Sequence, residues 1–249
     1  MINYTFKRYE VKFLLSPLQF ENIKDELFDK VFLDEYGETT IQSLYYDTPS
    51  NFLIRRSIEK PEFKEKLRLR SYGLANDDSK LYLEIKRKYE GVVYKRRISL
   101  KQNEANDYIR GNKKPDSQIA KEISYFKKHY KGLRPDMLII YDRMAYSDET
   151  GNLRITLDRN IRYRKDNLDL TYSLDGTKII PDGYILMEVK VPGAYPMWLT
   201  RLLNENKIYK ISFSKYGEAY QIEENKKIKE KKENLTWMDY SKQYLRMTQ

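Results

Sequence analysis

Lys66-Leu67-Arg68-Leu69-Arg70 decides the fold. Successive side chains of a strand point to opposite faces, so Lys66, Arg68 and Arg70 share one face and Leu67 and Leu69 the other. The pattern recurs along the chain. Arg8, Glu10 and Lys12 oppose Tyr9, Val11 and Phe13, and Glu84, Lys86 and Lys88 oppose Leu83 and Ile85. Lys95 and Arg97 oppose Tyr94, Ile98 and Leu100, with Arg96 breaking the alternation. Tyr141 and Arg143 share a face. Arg154, Thr156 and Asp158 oppose Leu153, Ile155 and Leu157, and Glu188 and Lys190 oppose Met187, Val189 and Val191. An antiparallel sheet with one dry and one wet face yields such alternation by itself. Here, however, the polar face is nearly all charged and rich in Arg, whose fork matches phosphate oxygens two at a time. If the sheet closes into a barrel, the cations converge on its axis and need a polyanion or interleaved carboxylates to offset their repulsion.

The rest of the chain fits strands with interspersed helices. Strands are expected over about residues 4–15, 40–47, 63–72, 80–88, 91–100, 138–147, 152–163 and 184–191, with a shorter one near 168–173. Ser16-Pro17 starts a helix running to about Lys30, with Ser at the cap and Pro in the first turn. Further helices are expected over about 51–58, 102–111, 116–131, 196–206 and 215–234. Tyr89-Glu90-Gly91 joins two strands as a hairpin. No Gly/Ser-rich linker and no internal repeat divides the 249 residues, which points to a single domain over 1–249.

Composition narrows the chemistry. The 47 basic and 37 acidic residues give a net charge of +10, which suits an anionic partner. The mixed-charge run 223–233 adds only about one unit, so the excess lies elsewhere, largely on the strands. Cysteine is absent, which excludes disulfides, thiolate catalysis and Cys-ligated zinc. His129 is the single histidine, so neither a Ser-His-Asp triad nor a His-rich metal site is expected. A metal would sit on carboxylate oxygens, as Mg²⁺ or Mn²⁺ does. Neither a signal peptide nor an apolar run long enough to span a bilayer is visible, and a cytoplasmic protein is the expectation.

Taken in order, Arg8 to Phe13, Ser43 to Thr48, Lys66 to Arg70, Leu83 to Lys86, Tyr94 to Arg97, Tyr141 to Arg143, Arg154 to Asp158, Met187 to Lys190 and Ser212 to Tyr216 resemble the triphosphate tunnel metalloenzyme (CYTH-like) superfamily. Within it they look most like the VTC-type polyphosphate polymerase domain, collinear over about residues 4–220 with a helical tail over 221–249. The resemblance implies an α+β fold: an eight-stranded antiparallel closed β-barrel, the tunnel, with helices packed outside. It implies that Arg68, Arg70, Lys86, Arg143 and Arg154 bind phosphoryl oxygens, with Lys66, Lys95 and Arg97 beside them and Lys12 near the transferred group. Glu188 would be the main metal ligand, assisted by Glu10 and by Glu84 or Asp158, with Mn²⁺ or Mg²⁺ as cofactor. Ser214 and Lys215 would belong to a late tunnel-lining motif. That motif usually reads Lys-Phe-Ser-Lys but is Ser212-Phe213-Ser214-Lys215 here, with Lys210 two residues earlier as a substitute for the missing lysine. The hydrolytic branch carries Glu-x-Glu-x-Lys on the first strand, whereas this chain has Arg8-x-Glu10-x-Lys12, with Arg8 added to the phosphate-binding set. One metal-binding carboxylate is exchanged for a cation, which favours the polymerase branch over a tripolyphosphatase or nucleoside triphosphatase. The expected partners are ATP and polyphosphate or triphosphate, with no nucleic acid, no appended SPX-type domain and no membrane segment. A non-catalytic polyphosphate-binding module is the remaining alternative, and whether a membrane partner carries product away stays open.

Overall fold

In this computed structural model, residues 9–90, 92–112 and 116–247 are described, with the side chains of 106 and 234–247 left aside. Arg8 and the hairpin glycine Gly91 therefore lie outside the described residues, as does the side chain of Trp237, expected from the sequence to pack its helix. The strands are β1 (Tyr9–Leu15), β2 (Phe32–Leu33), β3 (Thr39–Asp47), β4 (Phe63–Tyr72), β5 (Lys80–Tyr89), β6 (Val92–Lys101), β7 (Arg134–Ser147), β8 (Arg154–Arg164), β9 (Thr177–Lys178), β10 (Ile185–Val191) and β11 (Lys210–Ile211). The helices are α1 (Pro17–Phe28), α2 (Phe52–Ile58), α3 (Gln102–Arg110), α4 (Gln118–His129), α5 (Met197–Glu205) and α6 (Lys215–Met247). Ser16 and Gln19 close a capping box at α1, as the Ser-Pro start leads one to expect.

The expected closed, eight-stranded barrel is corrected. Eleven strands form one antiparallel sheet in the order β11-β1-β10-β8-β7-β3-β4-β5-β6, with β2 on β7 and β9 on β8. Among the described residues the hydrogen-bonded path ends at β11 and β6. The physical reason is the brevity of β11: after two residues the chain turns into α6, and no strand is left to ladder onto β6. The sheet is nevertheless strongly curled. β1 and β4 are separated by four strands along the ladder, yet Lys12 Nζ donates to Phe213 O at 3.0 Å and Lys66 Nζ to Ser214 Oγ at 3.3 Å. Consecutive residues before α6 thus bridge the two ends across the concave face.

The two faces are what the alternation predicts. On the convex side Leu67, Leu69, Leu83 and Ile85 pack with α3 and α4 residues such as Tyr108, Ile123 and Phe126. Phe13, Leu15, Met187 and Val189 pack with α1 and α5 through Ile23, Leu27, Leu199 and Leu202. A third cluster occupies one end of the concave side, where Ile41, Met137, Ile139, Ile161, Tyr163 and Leu186 meet Tyr216 and Ala219 of α6 and Ile54 of α2. The charged face therefore stops at an apolar floor. A bulge makes this possible on β8: the β7–β8 register shifts between Ile140 and Asp142, and Asn160 takes φ +48°. The extra residue moves the concave parity from Arg154, Thr156 and Asp158 to Ile161 and Tyr163.

The strand expected near 168–173 is absent. That stretch wraps around the Arg164 guanidinium, which donates to the carbonyls of Asn167, Asp169, Ser173 and Asp175 at 2.8–3.3 Å. Carbonyls aimed at one cation cannot also serve a ladder. No described helix is long and apolar enough to cross a membrane.

Candidate functional site

Strand parity places all but one of the described site residues on the concave face or at the start of α6. The tightest cluster spans β7, β8, β10, β1 and α6. Arg143 forks onto Asp158, with Nε to Oδ1 at 2.6 Å and Nη2 to Oδ2 at 2.7 Å. Lys215 reaches Asp158 at 2.5 Å and Glu188 at 3.0 Å. Lys12 lies 3.4 Å from Glu188 and 3.7 Å from Glu10, and Lys190 is 3.9 Å from each of the same two carboxylates. Burial works to raise the Glu188 and Asp158 carboxyls, but the surrounding cations, Lys215 foremost, hold Glu188 well below the usual carboxylate range and Asp158 below its ordinary value. Lys215 is raised in turn: Asp158 and Glu188 outweigh the burial that would lower it.

Lys215 stands where it does because of Ser214. The Ser214 hydroxyl accepts from the Gly217 amide at 3.2 Å and caps the first turn of α6. A Cβ on Gly217 would approach that side chain to 3.2 Å, so the glycine allows the close turn. Tyr216, the next residue, donates to Asp136 at 2.7 Å and to Asp47 at 3.1 Å, tying α6 to β7 and β3. Asp47 also accepts the amides of Thr48, Leu53 and Ile54, the structural role that its place before a Thr-Pro turn suggests.

The other half of the face, on β3 to β6, carries fewer carboxylates. Arg68 donates to Glu84 at 2.5 and 2.9 Å and to the Tyr45 hydroxyl at 3.3 Å. Arg70 is held by Ser43 Oγ at 3.3 Å and the Tyr141 hydroxyl at 3.2 Å. Burial works to raise these two phenols, yet Arg68 and Arg70 respectively lead the cations that bring Tyr45 and Tyr141 below the usual value. The register sets Lys66, Lys86 and Lys95 side by side across β4, β5 and β6. Burial, with neighbouring Lys64, Lys86 and Lys12, pushes Lys66 down to about 8 against the opposing pull of Tyr45. Lys95 is lowered too, by burial first. Arg97 pairs across from Glu84, and its guanidinium lies over the Tyr82 ring.

One expectation changes, and a second residue stands at the rim. Lys210 is opposite Phe13 in the β1–β11 register, and Phe13 packs in the convex core, so Lys210 points away from the concave face and does not replace the missing motif lysine. Arg154 has the concave parity, opposite Lys190, but is exposed at the start of β8 and forms no ion pair among the described residues. The hydroxyls of Ser43, Tyr45 and Tyr141 were not anticipated as partners of the arginines. Their parity, shared with Arg143 for Tyr141, was the available signal.

The carboxylates divide in their fitness for a divalent cation. Glu84 is taken by Arg68, and Asp158 by Arg143 and Lys215, so neither fits the assisting metal role expected of it. Among the described residues no three His, Cys, Asp or Glu side chains converge as a cage. Glu10 has looser contacts, 3.7 Å to Lys12 and 3.9 Å to Lys190, and Glu188 beside it shares both lysines and would give up its 3.0 Å contact with Lys215 to take a cation. Two carboxylates completed by phosphate oxygens suit Mg²⁺ or Mn²⁺, which rarely take an all-protein cage.

Several known proteins resemble this chain. The curated relative Vacuolar transporter chaperone complex subunit 4 of Schizosaccharomyces pombe is 25% identical over 72% of this chain and 31% of its own length, so the chain spans about a third of that relative. The crystal structure of a proposed adenylate cyclase from Bacillus halodurans superposes with a TM-score of 0.53 at 15% identity, covering 82% of this chain and 92% of that one, a likeness of fold. A Vibrio parahaemolyticus structure with the same description gives 0.46 at 13% identity, over 86% and 98% of the two chains. The family description "VTC domain" matches residues 7–223, nearly the whole of the curled sheet and the start of α6, and the chain belongs to the VTC domain family.

Proposed function

We propose that the protein is a metal-dependent polyphosphate polymerase that holds a phosphate chain along the basic concave face and transfers the γ-phosphoryl group of ATP to the chain end. The observation that carries this reading is the charge of that face. Lys66, Lys86, Lys95 and Arg97 lie together with few carboxylates and run into the cluster of Lys12, Arg143, Lys190 and Lys215 around Glu188. Like charges so close repel, and a polyanion threaded along the trough offsets them.

In the transfer, the bond between the γ-phosphorus and the β–γ bridging oxygen breaks, ADP leaves with that oxygen, and a terminal oxygen of the chain bonds to the γ-phosphorus. Such chemistry depends on positioning and charge compensation rather than on a covalent protein intermediate. Arg68 and Arg70 grip non-bridging oxygens from a strand where alternate residues stand about 6.6 Å apart. Lys86 and Lys95 extend the track, and Lys12, Arg143 and Lys215 neutralise charge at the reacting group. Glu188 and Glu10 are the residues to hold Mg²⁺ or Mn²⁺. When bound, the cation acts as a Lewis acid on phosphoryl oxygens. The choice of polymerase over triphosphatase rests on Arg8 in place of the hydrolytic branch's glutamate.

Incubation with ATP and Mn²⁺, followed by electrophoresis and phosphate-chain staining, tests the assignment. Long phosphate chains with matching ADP are expected. Orthophosphate without chains would transfer the protein to the second reading, a triphosphatase, which the adjacent Glu10 and Glu188 would also serve.

A further inference from the structure

Along β4 and β5, one concave position beyond Arg70 and Glu84, the cation track gives way to aromatic rings. Tyr72 and Tyr82 have the parity of Arg70 and Glu84, so they stand on the charged side of β4 and β5 rather than over the helices. Tyr82 is the cross-strand partner of Arg70. The two rings meet edge to face, 5.8 Å apart at 87°. The Arg97 guanidinium lies 4.9 Å from the Tyr82 centroid, and Lys80 Nζ lies 5.8 Å away. Tyr36, on the turn after β2, is 74% exposed and within electrostatic reach of Tyr82. These rings contrast with Tyr45 and Tyr141 on the same face, which are largely buried and use their hydroxyls on Arg68 and Arg70. Tyr72 is 47% exposed and sits in none of the three core clusters.

We propose that Tyr82, flanked by Tyr72 and Arg97, is the seat of the nucleobase of a nucleoside triphosphate whose phosphates run inward from Arg70 to Arg68. The inference rests on the reading of the trough as a phosphate track and specifies one end of it. A base is a flat π surface, and an aromatic ring beside an arginine offers it both stacking and cation–π contact. A phosphate chain has no such surface and gains nothing from these rings. Stacking on Tyr82 scales with the area of the base, so purines are favoured over pyrimidines.

Parallel calorimetric titrations with ATP, UTP and inorganic tripolyphosphate separate the two claims. For Tyr82→Leu, ATP affinity is expected to fall about tenfold while tripolyphosphate affinity stays at the wild-type level. The unchanged tripolyphosphate arm also reports that the variant is folded. Tyr72→Leu, on the flank of the seat, is expected to weaken ATP two- to threefold by the same criterion, and wild-type protein is expected to bind ATP more tightly than UTP. Equal losses for ATP and tripolyphosphate, or no change in either, would overturn the seat while leaving the phosphate track intact. A wild-type protein that binds ATP in a Tyr82-dependent way but not tripolyphosphate would keep the seat and overturn the track. Binding of neither ligand would overturn both.

Discussion

The two halves of the concave face use the same residue types to opposite effect. Around β7, β8, β10 and β1, cations and carboxylates are matched: Asp158, with its side chain 0% exposed, takes Arg143 and Lys215, and Glu188 gathers Lys12, Lys190 and Lys215. On β4, β5 and β6, among the described residues, Glu84 answers Arg68 and stands across from Arg97, while Lys66, Lys86 and Lys95 lie side by side. The matched half is held rigid by its own charges. The unmatched half is left with mutual repulsion, which the proposed phosphate chain would offset. In the proposed reading the matched half fixes the groups that act at the transferred phosphoryl and also supports the fold, while the unmatched half serves chain binding, and substitutions should separate stability from chain affinity.

The largest expected effect is on stability. Asp158→Ala removes the shared partner of two buried cations and should cost about 3–5 kcal/mol in chemical denaturation, as breaking a buried ion network does. A loss below about 1 kcal/mol would mean that the matched half is not matched in solution. Next in size is Lys86→Ala in the unmatched half. It should leave stability within about 0.5 kcal/mol of wild type, but weaken tripolyphosphate binding about ten- to a hundredfold, the range of a charge-assisted hydrogen bond. Similar losses of stability for the two variants would erase the distinction.

The smallest effect is a pH dependence carried by Lys66. Its folded value near 8 lies below its ordinary 10.5 because burial and neighbouring lysines disfavour the charged form. The free protein therefore releases this proton as pH rises through about 8, and tripolyphosphate affinity should decline several-fold across that range. The unfolded chain holds the proton up to about 10.5, so between the two values it binds more protons than the folded state, and Lys66's contribution to stability increases with pH. A bound anion raises the folded value and moves the binding midpoint upward. Lys66→Met should flatten the affinity profile. An unchanged profile in that variant would assign the titration elsewhere.

Much of this arrangement was legible because a strand has period two. Leu67 and Leu69 had to share a face, and so did Arg68 and Arg70, whichever way the sheet curled. The helix at 17–28 was likewise announced by a Ser-Pro start. Period two fails at irregular points. The bulge at Asn160 flips the parity of β8; an asparagine, which tolerates the left-handed backbone, is the one mark of it in the sequence and does not by itself fix the register. Lys210 shares the nominal parity of Ser212 and Ser214, but its side is set by the register against Phe13, a long-range pairing. The path around Arg164 depends on carbonyls, which sequence does not distinguish. The bonds of Tyr45 and Tyr141 to the arginines were not legible, because a phenol that packs and one that also bonds an arginine look the same in sequence.

The central claim is that the concave cations, and not the basic surface at large, bind phosphate chains. Titration of tripolyphosphate into wild type, Arg68→Ala/Arg70→Ala and Arg96→Ala tests it most directly, since Arg96 points to the convex side near Glu122. The account predicts tight binding to wild type, an affinity lowered at least a hundredfold in the double variant, and no change for Arg96→Ala. Equal losses in both variants, or no binding by the wild-type protein, would contradict it.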